Sequence, residues 1–360
     1  MSRNRIIYNS QALYVSQDSS SESVNGSESI SQLSRIQSFS DTFTRNFINI
    51  NNLGSLTPIN RIEVENPNIT ANFSYYLTNG SNEQKIGLNV YPINTTQTVY
   101  SCISNFITQK NDKSYYLLIT EGGDDAVSTK NVISGAIGLG NSLLTSYSVS
   151  ASVGELATAE IEIQSLNTRI YSNLTNQNQV PTINTTSGVN MTNTFFQLPS
   201  PSSFIGVNTP SALQPGDITL EFPTNVMIGS QSTDLKIQDF TFSFNLDRNP
   251  LKKVGKQFPF EREINFPIIA SLELNAIIGD LKNDNLISLI CSENQQFIIS
   301  FKTGCYSNKQ TALSYIFKGA RLISQKFDSS IGNSSTMNAT YEVEFGDAED
   351  TDKGIFILGS

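Results

Sequence analysis

Histidine and tryptophan are absent from the 360 residues. The commonest general base and the commonest metal ligand are therefore missing. This excludes Ser-His-Asp and Cys-His catalysis and His-ligated zinc. Cysteine is scarce: Cys102, Cys291 and Cys305 show no C-x-x-C spacing, and an odd, sparse set argues against a disulfide framework. They read as buried apolar thiols of a protein made in a reducing cytosol. Charged residues make up 15% of the chain, against the usual ~25%. The net charge of −9 divides almost evenly, −4 over residues 1–180 and −5 over 181–360, with no Lys/Arg run. Such a chain is no tight binder of phosphate. No window approaches the ~20 apolar residues of a membrane span. The start, MSRNRIIYNSQ, lacks the apolar core of about 7–15 residues that a signal peptide needs, so neither a membrane nor an export route is expected. The N-x-[ST] triplets, as at Asn68, Asn94 and Asn184, then carry no glycosylation meaning.

Asn, Ser, Thr and Ile fill the space that charge leaves, which is a vocabulary of strands and turns. The sequence also repeats itself. LSRIQSF (33–39) is echoed by DLKIQDF (234–240), and the echo continues without a gap from Phe39/Phe240 through Phe43/Phe244 to Gly54/Gly255. SLTPINRIEVENP (55–67) then faces KQFPFEREINFP (256–267), with Pro58 on Pro259 and Arg61 on Arg262, and one residue is dropped for Pro67 to meet Pro267. Upstream, QALYV (11–15) faces SALQP (211–215), with Leu13 on Leu213. Downstream, LLTSYSVSASVG (143–154) faces RLISQKFDSSIG (321–332), and TAEIEIQ (158–164) faces NATYEVE (338–344), with Glu162 on Glu342. Order is kept throughout, so the chain is an internal duplication.

Each copy alternates with period 2. Ile161 and Ile163 oppose Glu160 and Glu162; Tyr341 and Val343 oppose Glu342 and Glu344; Ile62 and Val64 oppose Glu63 and Glu65. These are half-buried strands with one acidic face. One segment per copy has helical spacing instead: Val99, Cys102, Ile103, Phe106 and Ile107 within 96–108, and Leu286, Leu289 and Ile290 within 279–292. The expected class is mainly β: two tandem β-sandwich or barrel domains, residues 1–172 and 211–360, each with one packed helix. Residues 173–210, rich in Asn, Thr, Pro and Ser, read as an extended connector. The Ser-rich stretch 16–31 and its shorter counterpart 224–234 read as hairpin loops.

The remaining candidates for chemistry are acidic clusters. EGGDDA (121–126) lacks calcium-loop spacing, and FGDAEDTDK (345–353) reads as a solvated loop. Carboxylates two apart on one strand, such as Glu160 and Glu162, do not flank a cleft as a glycosidase pair must. Neither GLGN (138–141) nor IGNSS (331–335) cradles a phosphate. No catalytic, cofactor or metal site is expected.

RIQSFSDTFTRNF with its echo KIQDFTFSFNLDR, the P-x-x-R phrase in both copies and the late hairpin SVSASVGELATAEIEI with its echo resemble phage tail tube proteins. The resemblance implies that sheets of neighbouring units join into a closed barrel around a channel and that the rings stack. A chain with two fused units implies a trimeric, pseudo-hexameric ring of the siphophage kind. It implies a virion protein made in the host cytoplasm, whose partners are other copies of itself, the tape measure, terminator and baseplate proteins, and passing double-stranded DNA without tight binding. Glu63, Glu65, Glu160, Glu162, Glu263, Glu342 and Glu344 are then candidates for the channel wall, and Ser19, Ser20, Glu22, Ser23, Asn25 and Glu28 for a loop reaching the adjacent ring. The alternatives are a baseplate hub or tail-completion protein of the same fold, or a β-sandwich adhesin or surface protein.

Overall fold

A computed structural model describes residues 10–16, 30–63, 67–108, 112–120, 133–172, 179–181, 183, 195–197, 213, 218–221, 225–227, 230–231, 235–255, 258–278, 295–303, 310–331 and 334–359. The first half forms β1 (Gln11–Ser16), β2 (Ile30–Gln32), β3 (Ile36–Thr44), β4 (Phe47–Ile50), β5 (Asn60–Glu63), β6 (Asn68–Tyr76), α1 (Ser81–Ile86), β7 (Val90–Pro92), α2 (Ser104–Thr108), β8 (Lys113–Thr120), β9 (Ile133–Ser152), β10 (Thr158–Ser165) and β11 (Asn167–Ser172). Between the halves lie β12 (Gln179–Pro181) and β13 (Phe195–Gln197). The second half forms β14 (Ile218–Glu221), β15 (Asn225–Met227), β16 (Ser230–Gln231), β17 (Leu235–Asn245), β18 (Arg248–Leu251), β19 (Glu261–Ile264), β20 (Ile269–Ile278), β21 (Gln295–Thr303), β22 (Gln310–Asp328), β23 (Thr336–Glu344) and β24 (Gly354–Gly359). The chain is mainly β, as its period-2 alternation predicts.

One sheet runs through both halves, in the order β14-β21-β22-β23-β20-β17-β9-β10-β6-β3. Its central strands repeat as β3-β6-β10-β9 and β17-β20-β23-β22. The registers match as well. Phe39 pairs with Phe73 in the first copy and Phe240 with Leu274 in the second, an offset of 201 on both strands (240 − 39, 274 − 73). Gln37 and Gln238, the shared Gln of the echoed phrase, each sit at a β-bulge. A bulge adds a residue and strengthens the local twist, so this Gln marks where each copy's first sheet strand turns. The hairpins β4–β5 and β18–β19 share the 201 offset. Gly54 and Gly255 at their tips both have positive φ (90° and 81°), a backbone that glycine enters at no steric cost.

The late strands correspond at an offset of 178. Leu144 faces Ile163 and Leu322 faces Tyr341 (322 − 144, 341 − 163), each next to a bulge. The alignment that sets Glu162 on Glu342 is therefore two residues out of register; Glu162 corresponds to Thr340. The dropped residue near Pro267 is not needed either, since β5/β19 and β6/β20 keep one offset. QALYV does not correspond to SALQP. The counterpart of β1 is β14, because β1 pairs with β8 as β14 pairs with β21. Short apolar words in an Asn- and Ser-rich chain align by composition, whereas hydrogen-bond register does not.

The helix expected over 96–108 shrinks to α2, Ser104–Thr108. Of its apolar positions Cys102 and Ile103 are fully buried and Phe106 nearly so, while Val99 and Ile107 are half-buried. The Cys102 N–H, however, donates to the Ile355 carbonyl (2.7 Å) rather than up a helix, so pairing with β24 overrides helical propensity. A second short helix, α1, lies earlier in the same half. The helix expected over 279–292, Cys291, Cys305 and EGGDDA lie outside the described residues. In 224–234, β15 pairs with β16 as a hairpin. Within the expected connector, β12 pairs with β13 and Ile183 is buried; Leu213, three residues past the connector's end, is buried as well. Four acids of 345–353 sit in a turn where Asp347 and Asp350 accept backbone N–H bonds.

One core cluster spans both halves, with Phe73, Tyr75, Tyr147 and Ile161 on one side and Phe240, Phe242, Phe244, Phe301, Tyr315 and Tyr341 on the other. The rings of Tyr147, Phe242, Phe244, Tyr315 and Phe317 meet at centroid distances of 4.8–6.2 Å. Such contacts add about 0.5–1.5 kcal/mol per pair beyond area burial.

Candidate assembly site

The central strands bury one face and present the other. Facing away from the core, one row across the sheet reads Ser38, Ser74, Glu160, Ser148, Ser243, Ser271, Glu342, Arg321. The next row reads Thr158, Ser150, Thr241, Glu273, Thr340, Ser324. Small hydroxyls dominate this surface, and carboxylates outnumber the cations in both rows. The sheet therefore brings Glu160, Glu162, Glu342 and Glu344 to one polar face. Glu63 and Glu263 stand elsewhere, on the hairpins β4–β5 and β18–β19. Arg45 bonds to Glu63 at 2.7 Å, and that bond holds the Glu63 carboxyl below its ordinary value. Glu65, Ser19, Ser20, Glu22, Ser23, Asn25 and Glu28 lie outside the described residues.

Beyond the shared core, three contacts between the halves bear on assembly. First, β17 pairs with β9 over seven residue pairs, from Asp239/Ser152 to Asn245/Ser146. Second, Arg262 of β19 reaches back to the first half. Its Nη2 donates to the Asn141 carbonyl (2.6 Å) and lies 3.4 Å from Asp112, while its Nη1 donates to the Gln164 carbonyl (3.3 Å). The Arg262 side chain is only 6% exposed. Burial lowers its pKa, and Asp112 opposes that shift. Beside it, burial and then the Arg262 charge bring Arg248 down to about 10. Third, β24 runs parallel to β7, with Ile357 on Val90, and Ile357 is fully buried.

Each of these three contacts has an open counterpart. Among the described residues β3 has no strand on its second side, although it corresponds to β17. The end of β22 that corresponds to the paired end of β9 has β23 on one side and no described strand on the other. Arg61, the counterpart of Arg262, is exposed and rests over the Phe47 ring at 5.4 Å. Ile170 of β11, the counterpart of Ile357, is 75% exposed. Exposed apolar side chains gather at these same edges: Phe43 at 51%, Ile323 at 56% and Phe327 at 51%.

The hairpins carry another set. Leu53, Leu56 and Val254 are fully exposed, and Ile59 and Phe260 nearly two-thirds so. Contiguous apolar exposure on a described surface marks a place for another protein. Sequence reasoning matched Arg61 with Arg262 but gave neither a role. The signal was an arginine kept in both copies beside a proline, in a chain with few arginines.

Among the described residues no cluster of three His, Cys, Asp or Glu side chains could hold a metal, and no helix is long and apolar enough to cross a membrane. No family model and no curated protein matches the chain. Among solved structures, it is similar to a chain of the cryo-EM structure of the anti-feeding prophage (AFP) baseplate, 6-fold symmetrised. The TM-score is 0.31 and the identity 8%, over 47% of this chain and 97% of that one. That likeness is too shallow to argue from.

Proposed function

We propose that the chain is a structural virion protein, the tail tube subunit of a phage, that polymerises into closed rings stacked as a conduit for the genome. One observation carries this reading: the two copies are joined head to tail by β17 on β9, and among the described residues the two matching edges, β3 and the end of β22, carry no further strand. A head-to-tail interface continues until rotation closes it into a ring, or else it grows without end. Closure removes sheet edges that would otherwise aggregate.

With eight central strands per chain, three chains supply about 24 strands, and a spacing of about 4.8 Å gives a circumference of roughly 115 Å before tilt widens it. That encloses a channel wider than a DNA duplex. The Ser/Thr face with Glu160, Glu162, Glu342 and Glu344 lines the channel in this reading. Its carboxylates repel phosphates, so the duplex slides rather than binds. The protein performs no chemistry of its own, and its other partners are the tail proteins that start, measure and end the tube.

Negative-stain microscopy of the purified chain should show rings or tubes with a central hole and three chains per ring. A monomer that never assembles, alone or with tail components, overturns the reading. Particles that carry only a ring or two of the protein would move it to the baseplate hub.

A further inference from the structure

We infer that the closing junction between two copies of this chain repeats the junction inside one copy, with β3 of one chain on the end of β22 of the next and Arg61 as its clamp. The inference rests on the ring reading above and adds the register and the residues.

The internal seam fixes the register. β17 pairs with β9 as Thr241 on Ser150 and Ser243 on Ser148. Offsets of 201 for β3/β17 and 178 for β9/β22 carry these pairs to Ser40 on Asp328 and Thr42 on Lys326 of the neighbouring chain. The bulges agree with the transfer, since Gln37 and Gln238 open the two edge strands at equivalent places. The clamp transfers in the same way. Arg262 binds the carbonyls of Asn141 and Gln164, and their counterparts are the carbonyls of Gly319 and Glu342. Asn141 and Gly319 share a backbone seen nowhere else in these strands, with φ of 50° and 76°. At Asn141 that left-handed residue offers its carbonyl to Arg262, and Gly319 repeats the same backbone where Arg61 of the neighbouring chain would arrive. β11 offers a third contact, because Ile170 stands where Ile357 is buried.

The polarity of the edges fits a second copy of the same chain rather than a foreign one. A β3 edge presents Phe39, Asp41 and Phe43 toward the core side, and the β22 edge presents Gln325 and Phe327. Neither edge is apolar throughout, and each apolar residue meets a polar one when the register is applied. An edge meant for an apolar partner would lack this interleaving.

The test is disulfide mapping on assembled protein. Ser40→Cys with Asp328→Cys should form interchain bonds under diamide, giving a dimer–trimer ladder on non-reducing gels that collapses with reductant. Thr241→Cys with Ser150→Cys should close the same bond within one chain. Ser40→Cys with Ser324→Cys, about 13 Å out of register at ~3.3 Å per residue, should give no ladder, because a disulfide needs Cβ atoms about 3.5–4.5 Å apart. Arg61→Ala should raise the concentration needed for assembly about tenfold, the worth of a charge-assisted hydrogen bond, while the dissociated chain melts as the wild type does. If rings form but only the out-of-register pair crosslinks, or if Arg61→Ala assembles at the wild-type concentration, the junction is wrong and the ring reading stands. A chain that sediments as a monomer at every concentration overturns both.

Discussion

A proline at position 41 should separate assembly from folding. In the internal seam Val153 donates its N–H to the Gln238 carbonyl (2.9 Å) and Leu246 donates its N–H to the Thr145 carbonyl (2.8 Å). Between them the register is unbroken. Phe240, Phe242 and Phe244 therefore turn their N–H and C=O groups toward β9, and Thr241 and Ser243 turn theirs toward β20. The 201 offset gives β3 the same parity: Phe39, Asp41 and Phe43 address the open edge, while Ser40 and Thr42 address β6. Asp41 is exposed, and proline is tolerated on an edge strand where the N–H faces solvent. Asp41→Pro should cost the isolated chain less than about 1 kcal/mol. In the ring it deletes one intermolecular bond and leaves the facing carbonyl unsatisfied, about 2–3 kcal/mol together, or roughly 30- to 150-fold in association. Thr42→Pro, one residue on, breaks a bond inside the sheet and should instead lower the melting temperature of the dissociated chain. Asp41→Asn keeps the N–H and should assemble at least as well as the wild type. Sedimentation velocity reads the first effect and thermal melting the second. If Asp41→Pro assembles at the wild-type concentration, or if the two prolines behave alike, the transferred parity is refuted.

Three further outcomes follow from other parts of the molecule. Glu83 is fully buried; its Oε1 accepts bonds from Tyr75 (2.9 Å) and Tyr147 (3.2 Å), its Oε2 has no partner among the described residues, and burial raises its pKa. A raised carboxyl favours the fold below its ordinary value of 4.5 and loses that contribution as pH rises through the folded value. Glu83→Gln, a mimic of the protonated form, should therefore melt higher than the wild type at pH 8 and equally near pH 4; a lower melting point at pH 8 would show that the carboxylate is held charged. Phe242→Ala removes a ring with no exposed surface, packed on Tyr147, Tyr315 and Phe317, and should cost about 3–5 kcal/mol in denaturant melts. Leu53→Ser, Leu56→Ser and Val254→Ser together touch fully exposed tips, so the fold should be unchanged while microscopy shows single rings in place of tubes; tubes of wild-type length would clear the hairpins of any stacking role.

What was legible in the sequence was whatever period 2 encodes. Ile161, Ile163, Tyr341 and Val343 are buried and the Glu residues between them are not. The duplication was legible because Phe39, Phe43, Gly54 and Arg61 recur at one spacing. Four things were not. Register escaped, because a two-residue slip keeps every side chain on its face, so Glu162 on Glu342 looked as good as Glu162 on Thr340. The helix over 96–108 escaped because the Cys102 N–H is claimed by the Ile355 carbonyl of β24, some 250 residues later. The hairpin arms escaped because exposed leucines in a loop look like strand residues until their burial is known. The role of Arg262 needed three acceptors from separate segments of the other half, Asn141, Gln164 and Asp112, which no local pattern contains.

The divergence between the copies follows the difference between a seam made once and a seam made between molecules. Inside the chain, Phe240 faces Ala151, Phe242 faces Val149 and Phe244 faces Tyr147, an apolar seam that forms with the fold and never meets water. At the transferred positions Phe39 faces Ser329, Asp41 faces Phe327 and Phe43 faces Gln325. These edges are solvated while the chain is free, and an apolar row there would pair with any exposed strand. A charge pointing to the core side on an edge strand is one of the known guards against such pairing, and Asp41 stands where Phe242 does in the other copy. The guard weakens each closing contact. A weak contact repeated around a ring favours the closed state, because the last chain to join makes two junctions at once, whereas an open pair makes one. An edge too polar to aggregate can therefore still close a ring, provided that the register and the arginine clamp select the neighbour.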